Sequence, residues 1–294
     1  MQKQTKGIIY LLLSALTYST MPVLIRILGS DGMPPMAQVF LRYVFAFLTS
    51  SVYLFFLSKN KLKVERKDLL LLGLATIFCY SLTNLFFTYG ILYTAVSNAL
   101  FIFYSYAIFT PMIGFFILKD KLNKYNSIAI GLSILALYLL FSPTSLPTWK
   151  LGGLFALLAA LGQSIYVVIR RLLSKYPAVV MMFLNTLVGV IVLGSLSLFV
   201  DNKFYFHGGI GHLKTISWII TVIFGLLNFF GWFFMTKGFE LFNATSGSMI
   251  LLTELLFGII FALLFFAEVP TMFTLLGGFL ILGASVLVIT KGQN

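Results

Sequence analysis

The second half of this chain repeats its first half upside down. About five apolar segments lie in each half, and Thr88, Tyr89 and Gly90 return as Thr236, Lys237 and Gly238, 148 residues later. Asp120, closing the fourth segment, falls on Glu268, closing the ninth, at the same offset. A unit that crosses a membrane an odd number of times delivers its second copy to the opposite side, so two such copies lie inverted. Many secondary transporters are built this way.

Further matches keep the same order along the chain. GIIYLLLSALTYS (7–19) aligns with GGLFALLAALGQS (152–164) and sets Arg26 on Arg171, while PMAQVFLR (35–42) parallels PAVVMMFLN (177–185). SIAIGLSIL (127–135) parallels TLLGGFLIL (274–282), and all offsets stay between about 143 and 148. Any two apolar helices share some letters by chance, but an ordered series does not arise so easily. Pro143 and Pro147, within SPTSLPTWK (142–150), punctuate the midpoint. The expected organisation is one repeat over 1–142, a linker over 143–150 and a second repeat over 151–294.

Composition decides the solvent. Charged residues make up 10% of the chain and hydrophobic ones 60%, against roughly 25% charged in soluble domains. A bilayer core needs about 20 apolar residues per helix, and ten such runs are predicted, close to 7–28, 33–57, 68–90, 94–118, 125–142, 151–174, 177–199, 216–239, 243–266 and 271–290. They are apolar on nearly all sides, without the alternation of barrel strands. The predicted fold class is therefore an all-α membrane protein with ten transmembrane helices in two inverted five-helix repeats.

The net charge of +12 does not point to nucleic acid, because the basic residues are scattered through short loops. With the N-terminus in the cytoplasm, fifteen Lys and Arg fall on inner positions against four (Arg26, Lys150, Lys203 and Lys214) on outer ones. This bias predicts a multi-pass protein of the cell membrane with both termini cytoplasmic. Lys3 and Lys6 before an apolar run imitate a signal peptide, but the run continues for about 22 residues without a clear cleavage site and reads as a retained first helix. Cys79 is the sole cysteine, which excludes an intrachain disulfide or thiolate cluster. His207 and His212 flank a glycine-rich turn and make a poor metal site. No phosphate-binding GxxxxGK run occurs, so no cofactor and no direct ATP drive are expected.

The FLR of 40–42, the TYG followed by TAVSNA (94–99), Pro111 in the fourth segment and the LTELLFG of 252–258 resemble the drug/metabolite transporter superfamily, EamA-type. The resemblance covers nearly the whole chain. It implies a ten-helix transporter that exports metabolites, amino acids among them. It also implies a cavity lined by helices 1, 3, 4, 6, 8 and 9, the set that the polar residues suggest independently. The family often has Glu-Pro where this chain has Glu254 and Leu255.

In an inverted repeat the solute sits near the midplane between the halves, so polar residues at matched depth are the candidates. Tyr80, Asn84 and Thr88 are spaced by four on one face and correspond to Asn228, Trp232 and Thr236. Asn98, Phe101 and Ser105 correspond to Ser246, Met249 and Thr253. Tyr18 with Ser19 matches Gln163 with Ser164. Tyr80, Tyr89, Phe101, Tyr104 and Trp232 offer rings for stacking. The competing reading is that such groups hold helices together by hydrogen bonds.

Glu254 is the sharpest single residue, since an ionised carboxylate at depth costs several kcal/mol unless paired, wet or protonated. It is read as a proton-coupling group or a partner for a solute ammonium, with a structural carboxyl as the alternative. Arg42 either attracts a carboxylate, snorkels outward or joins an ion pair, and its counterpart is Asn185. Arg26 and Arg171, near helix ends, suit gating or anchoring. Asp120 and Glu268 are expected to cap the helices that follow them, and Pro22 and Pro111 to kink the first and fourth helices. The partners expected are a small-molecule solute, the bilayer and, with Glu254, a proton. A sensor or channel on the same fold, or an intramembrane enzyme, remains the alternative.

Overall fold

The computed structural model describes residues 2–58, 62–119, 124–141, 147–206, 209–241, 247 and 250–291. Among them there is no strand. Ten helical segments follow one another: α1 (Thr5–Ser30), α2 (Pro35–Leu57), α3 (Arg66–Tyr93), α4 (Val96–Leu118), α5 (Lys124–Phe141), α6 (Lys150–Leu172), α7 (Ala178–Val200), α8 (Thr215–Leu241), α9 (Thr253–Phe266) and α10 (Met272–Lys291). All but α9 are long and apolar enough to cross a membrane. Asp120, His207, Ser246, Met249, the first residue foreseen for the ninth helix (Asn243) and residues 143–146 of the expected linker lie outside the described residues, while 147–150 of that linker already belong to the helix Pro147–Leu172. The fold is an all-α membrane protein made of two five-helix repeats.

The helices pair as exchange of the halves requires. The α1–α8 packing is matched by α6–α3, α1–α9 by α6–α4, and α2–α8 by α7–α3, while α2–α7, α4–α9 and α5–α10 are matched with themselves. The repeated TxG triplet has a physical cause in this arrangement. A side chain on Gly90 would stand 3.2 Å from Ala156 of α6, and one on Gly238 would stand 2.5 Å from Leu11 of α1. Leu11 and Ala156 are themselves separated by the repeat offset of 145. Each glycine therefore lets a helix of one half lie directly on the first helix of the other.

Phe56, Phe116 and Phe199 are each about 80% exposed on the outside of the bundle. A surface this apolar needs hydrocarbon around it. At one end of the bundle lie the starts of α1 and α3 and the finishes of α2 and α10, here the terminal end. The other, the linker end, holds the turns after α1, α3, α7 and α9.

Three helices break at depth. The first breaks at Thr20, where Pro22 supplies no N–H for the Tyr18 carbonyl. The fourth breaks at Ser105, six residues before Pro111, around which the helix runs on undivided. The reason is local: the Ser105 hydroxyl bonds back to the Ile102 carbonyl at 2.6 Å, and its N–H turns to the same carbonyl at 3.2 Å. The ninth breaks at Leu252, beside Thr253, whose hydroxyl bonds to the Ile250 carbonyl at 2.7 Å in the same pattern. In α3, Ala75–Ser81 is wound as a π-helix, a feature often found at functional sites.

Candidate functional site

A cavity of about 360 Å³ lies between the two halves. Its walls come from repeat-matched positions. Tyr18 faces it with Gln163, Met21 with Tyr166, Tyr80 with Asn228, and Asn84 with Trp232. Phe87 is matched by Met235, Phe103 by Leu251, Arg42 by Asn185, and Tyr106 by Glu254. The last two pairs break the symmetry in charge: the first half contributes a cation and the second an anion.

The structure brings Tyr18, Tyr80, Asn84, Gln163, Asn228, Trp232 and Glu254 together on the cavity wall. It does not bring Ser19, Asn98, Phe101, Ser105, Ser164 or Thr253 there. Ser19 bonds to the Leu16 carbonyl at 2.7 Å, and Ser164 to the Ala160 and Tyr106 carbonyls at 2.8 and 3.1 Å. Ser105 and Thr253 make the helix breaks. Asn98 is buried with its Nδ2 3.4 Å from the Thr94 hydroxyl, and Phe101 packs into the space left by Gly278 of α10. Tyr89 stacks on Phe155 at 5.0 Å instead of facing the cavity.

The expectation that helices 1, 3, 4, 6, 8 and 9 line the cavity, with 2, 5, 7 and 10 as an outer support, needs correction. Helices α5 and α10 do pack as a separate pair. Helices α2 and α7 instead reach the cavity through Arg42 and through Ala178, Met181, Met182 and Asn185. Their apolar sequences hide this, because a methionine wall has no polar signature. The signal available was the alignment of Arg42 with Asn185, two polar groups at matched depth in otherwise apolar helices.

Arg42 is 1% exposed. Its Nη2 donates to Asn84 Oδ1 at 3.1 Å, and its guanidinium lies 4.6 Å from the ring centre of Phe224 and 5.6 Å from that of Tyr43. Its Nε has no hydrogen-bond partner among the described residues. Opposite, Asn185 donates to the Tyr166 hydroxyl at 2.5 Å and accepts from Thr76 at 3.2 Å. Tyr80 stacks toward Tyr166 at 5.1 Å and donates to Met182 Sδ at 3.7 Å. The partly exposed Glu254 carries no ion pair among the described residues, and Tyr104 is beside it.

The linker end is clamped. Arg26 pairs with Glu268 at 2.8 Å and donates to the Ile91 and Thr94 carbonyls at 2.7 and 2.5 Å. Glu268 also accepts from the Val96 N–H at 2.8 Å, so it caps α4 and not, as its position suggested, the helix that follows it. Asp201 accepts from the Ala37 N–H and from Ser197, both at 3.1 Å. Burial raises the Asp201 carboxyl above its usual range, against those two hydrogen bonds. Asp31 accepts from Ser217 at the start of α8, and this bond holds its carboxyl low, with Lys214 adding to the effect.

At the terminal end a second cavity, of about 270 Å³, adjoins the first and shares Ala178, Trp232 and Thr236 with it. Its mouth carries the exposed Lys237–Glu240 pair, 2.8 Å apart. Beside it Tyr176 donates to Asp68 at 2.5 Å and Lys175 pairs with Glu65 and Asp68 at 2.6 Å. Among the described residues no three His, Cys, Asp or Glu side chains come together, and His212 sits in a short 3-10 turn.

The sequence model of the EamA-like transporter family matches residues 5–142 and again 150–290. The chain belongs to the EamA-like transporter family. Like other members it is a transporter that moves small molecules through a membrane. An uncharacterized transporter of Clostridium kluyveri is 28% identical over 200 residues, 64% of this chain and 63% of that relative, just under two thirds of its length. S-adenosylmethionine uptake transporters of Rickettsia prowazekii and Rickettsia felis are each 24% identical over 284 residues, 96% of this chain and 92% of theirs. A solved crystal structure superimposes with a TM-score of 0.65 at 13% identity over 99% of both chains, a likeness of fold.

Proposed function

We propose that this EamA-like chain is a secondary carrier that moves an amino acid or a related compound across the cytoplasmic membrane by alternating access. The observation that carries this reading is a central cavity walled by matched positions of two halves, clamped at one end and continued by a second cavity at the other. Exchanging the conformations of the halves exposes the same wall to the other side. The halves are taken as 1–142 and 151–294, joined by 143–150, with both termini in the cytoplasm, so the conformation described faces inward. Export was the direction expected from the sequence, whereas the Rickettsia relatives are named for uptake. We take the solute gradient to set the direction here.

Counterflow in proteoliposomes tests the reading. Vesicles loaded with a panel of amino acids, S-adenosylmethionine, amines, organic acids, sugars and nucleosides are presented with trace labelled solute outside. Saturable accumulation of one class against unlabelled solute is expected. Its absence for every class, from protein shown to be folded, overturns the carrier, and flux without saturation or counterflow makes the chain a channel.

A further inference from the structure

Apart from Arg170, which closes the end of its own helix, each half supplies one charge to the cavity wall that the other half does not copy. Arg42 stands where the second half has Asn185, and Glu254 stands where the first half has Tyr106. A duplicated scaffold accounts for the hole and its matched walls, but it does not account for these two departures. Among the described residues neither charge has an ion-pair partner.

Arg170, the other cation on the wall, shows what a scaffold arginine looks like. It donates to the Leu173 and Tyr176 carbonyls at 2.7 and 2.9 Å, closing the end of α6. Arg42 has no carboxylate within ion-pair distance among the described residues. It makes one hydrogen bond to a neutral amide, and its Nε is buried without a partner. A guanidinium carries five N–H donors, and leaving them unmet away from water is unfavourable. Phe224 and Tyr43 pack beside the guanidinium, which borders the cavity with N–H groups along its edge. That edge matches a carboxylate, which accepts two parallel hydrogen bonds.

We propose that Arg42 anchors the carboxylate of the solute and Glu254 its ammonium, so that the cavity selects zwitterions. This rests on the carrier reading above. A solute with both groups pairs Arg42 and Glu254 at once, whereas a simple amine or a simple acid leaves one of them unpaired. The rest of the wall suits an apolar, aromatic or sulfur-containing side chain. Tyr80, Tyr104, Tyr166 and Trp232 offer ring faces, and Met181 and Met182 adaptable thioethers. A cavity of about 360 Å³ lies at the lower end of the range for sites that enclose small organic ligands.

The counterflow panel, run on the full chain, separates this proposal from the reading beneath it. Each amino acid is offered beside its decarboxylated amine and its deaminated acid. Exchange confined to zwitterions, with at least a tenfold weaker response to both truncated forms, is the expected result. Saturable exchange of sugars, nucleosides or amines at equal efficiency overturns the zwitterion proposal and leaves the carrier intact. No exchange of any solute overturns both.

Two variants add a readout that a structural role does not move. Arg42→Gln, checked for folding by its melting curve, is expected to raise KM for the zwitterion at least tenfold while inhibition by the amine is unchanged or stronger. Glu254→Gln is expected to do the reverse, sparing inhibition by the deaminated acid. Equal losses for all three compounds in both variants overturn the assignment. If Arg42→Gln does not fold, Arg42→Lys keeps the charge and removes the fork, and unaltered KM in that variant overturns it as well.

Discussion

At the linker end of the bundle, Asp201 of the α7–α8 turn holds the first turn of α2, and Glu268 with Arg26 ties α9 to α1 and to the start of α4. At the terminal end the last turn of α2 and the first of α7 line an adjoining cavity instead, with Tyr53 on one side and Pro177 to Val179 on the other. One contact has a counterpart at both ends. Asp31 meets Ser217 and Lys214 at the linker end, and Tyr176, which Asp31 aligns with, meets Asp68 and Glu65 at the terminal end. The difference separates two kinds of bond. On the proposed cycle, those present at both ends hold the halves together in either conformation, and those present at one end only are the ones it breaks.

The largest expected effect comes from opening the clamp. Arg26→Met removes the ion pair and two carbonyl bonds at once, a change of roughly 1–3 kcal/mol for a partly exposed pair. In a Cys79→Ser background with a cysteine at Met21, labelling by an impermeant maleimide applied from the linker end is expected to rise several-fold. Unchanged labelling would show that the pair does not hold that end shut.

Glu254→Gln leaves the clamp alone and strikes the wall. Exchange is expected to fall at least tenfold and to lose any dependence on pH, while labelling at Met21 stays as in the parent. Wild-type transport with wild-type pH dependence would remove Glu254 from any functional role.

Asp201→Ala removes the acceptor for the start of α2 and is expected to loosen the clamp by about 1 kcal/mol, the usual scale of a helix cap. Labelling at Met21 should increase, but less than in Arg26→Met. Asp31→Asn and Asp68→Asn touch the contact shared by both ends, so each should lower the melting temperature without altering labelling.

Glu65→Gln gives the smallest effect, because that carboxyl is exposed. Lys175 and then Lys67 hold it below its usual range. A depressed acid contributes stability above its unfolded pKa of about 4.3 and loses it as pH falls through the lower folded value. The parent should therefore melt above the variant by a small, constant margin from pH 6 to 8, and should lose that advantage only on acidification below about pH 4.

Much of the fold was legible because the constraint was strong. A helix that crosses a bilayer advertises its length, and the repeated TxG advertised a close approach before the partner helix was known. The cavity was legible only in part. Tyr18, Tyr80, Gln163 and Trp232 have long side chains that extend beyond their own helices, and Asn84, whose Nδ2 bonds to its own helix, keeps its Oδ1 for Arg42. Ser19, Ser105, Ser164 and Thr253 have short hydroxyls that bond to a carbonyl of their own helix, so their polarity is consumed locally and gives a false signal of lining. Phe101 was misplaced because its partner is Gly278, a residue with no side chain to betray the contact. Arg42 was ambiguous because sequence places a charge at depth without saying whether a carboxylate, water or a ring meets it.

The breaks at Ser105 and Leu252 fall at matched places in α4 and α9, which pack against each other, and they lie next to Tyr104, Tyr106 and Glu254 on the cavity wall. On the proposed cycle these interruptions act as a fulcrum at the height of the solute. The cargo then travels very little, and what moves is the permeability barrier, which passes around it from one face of the membrane to the other.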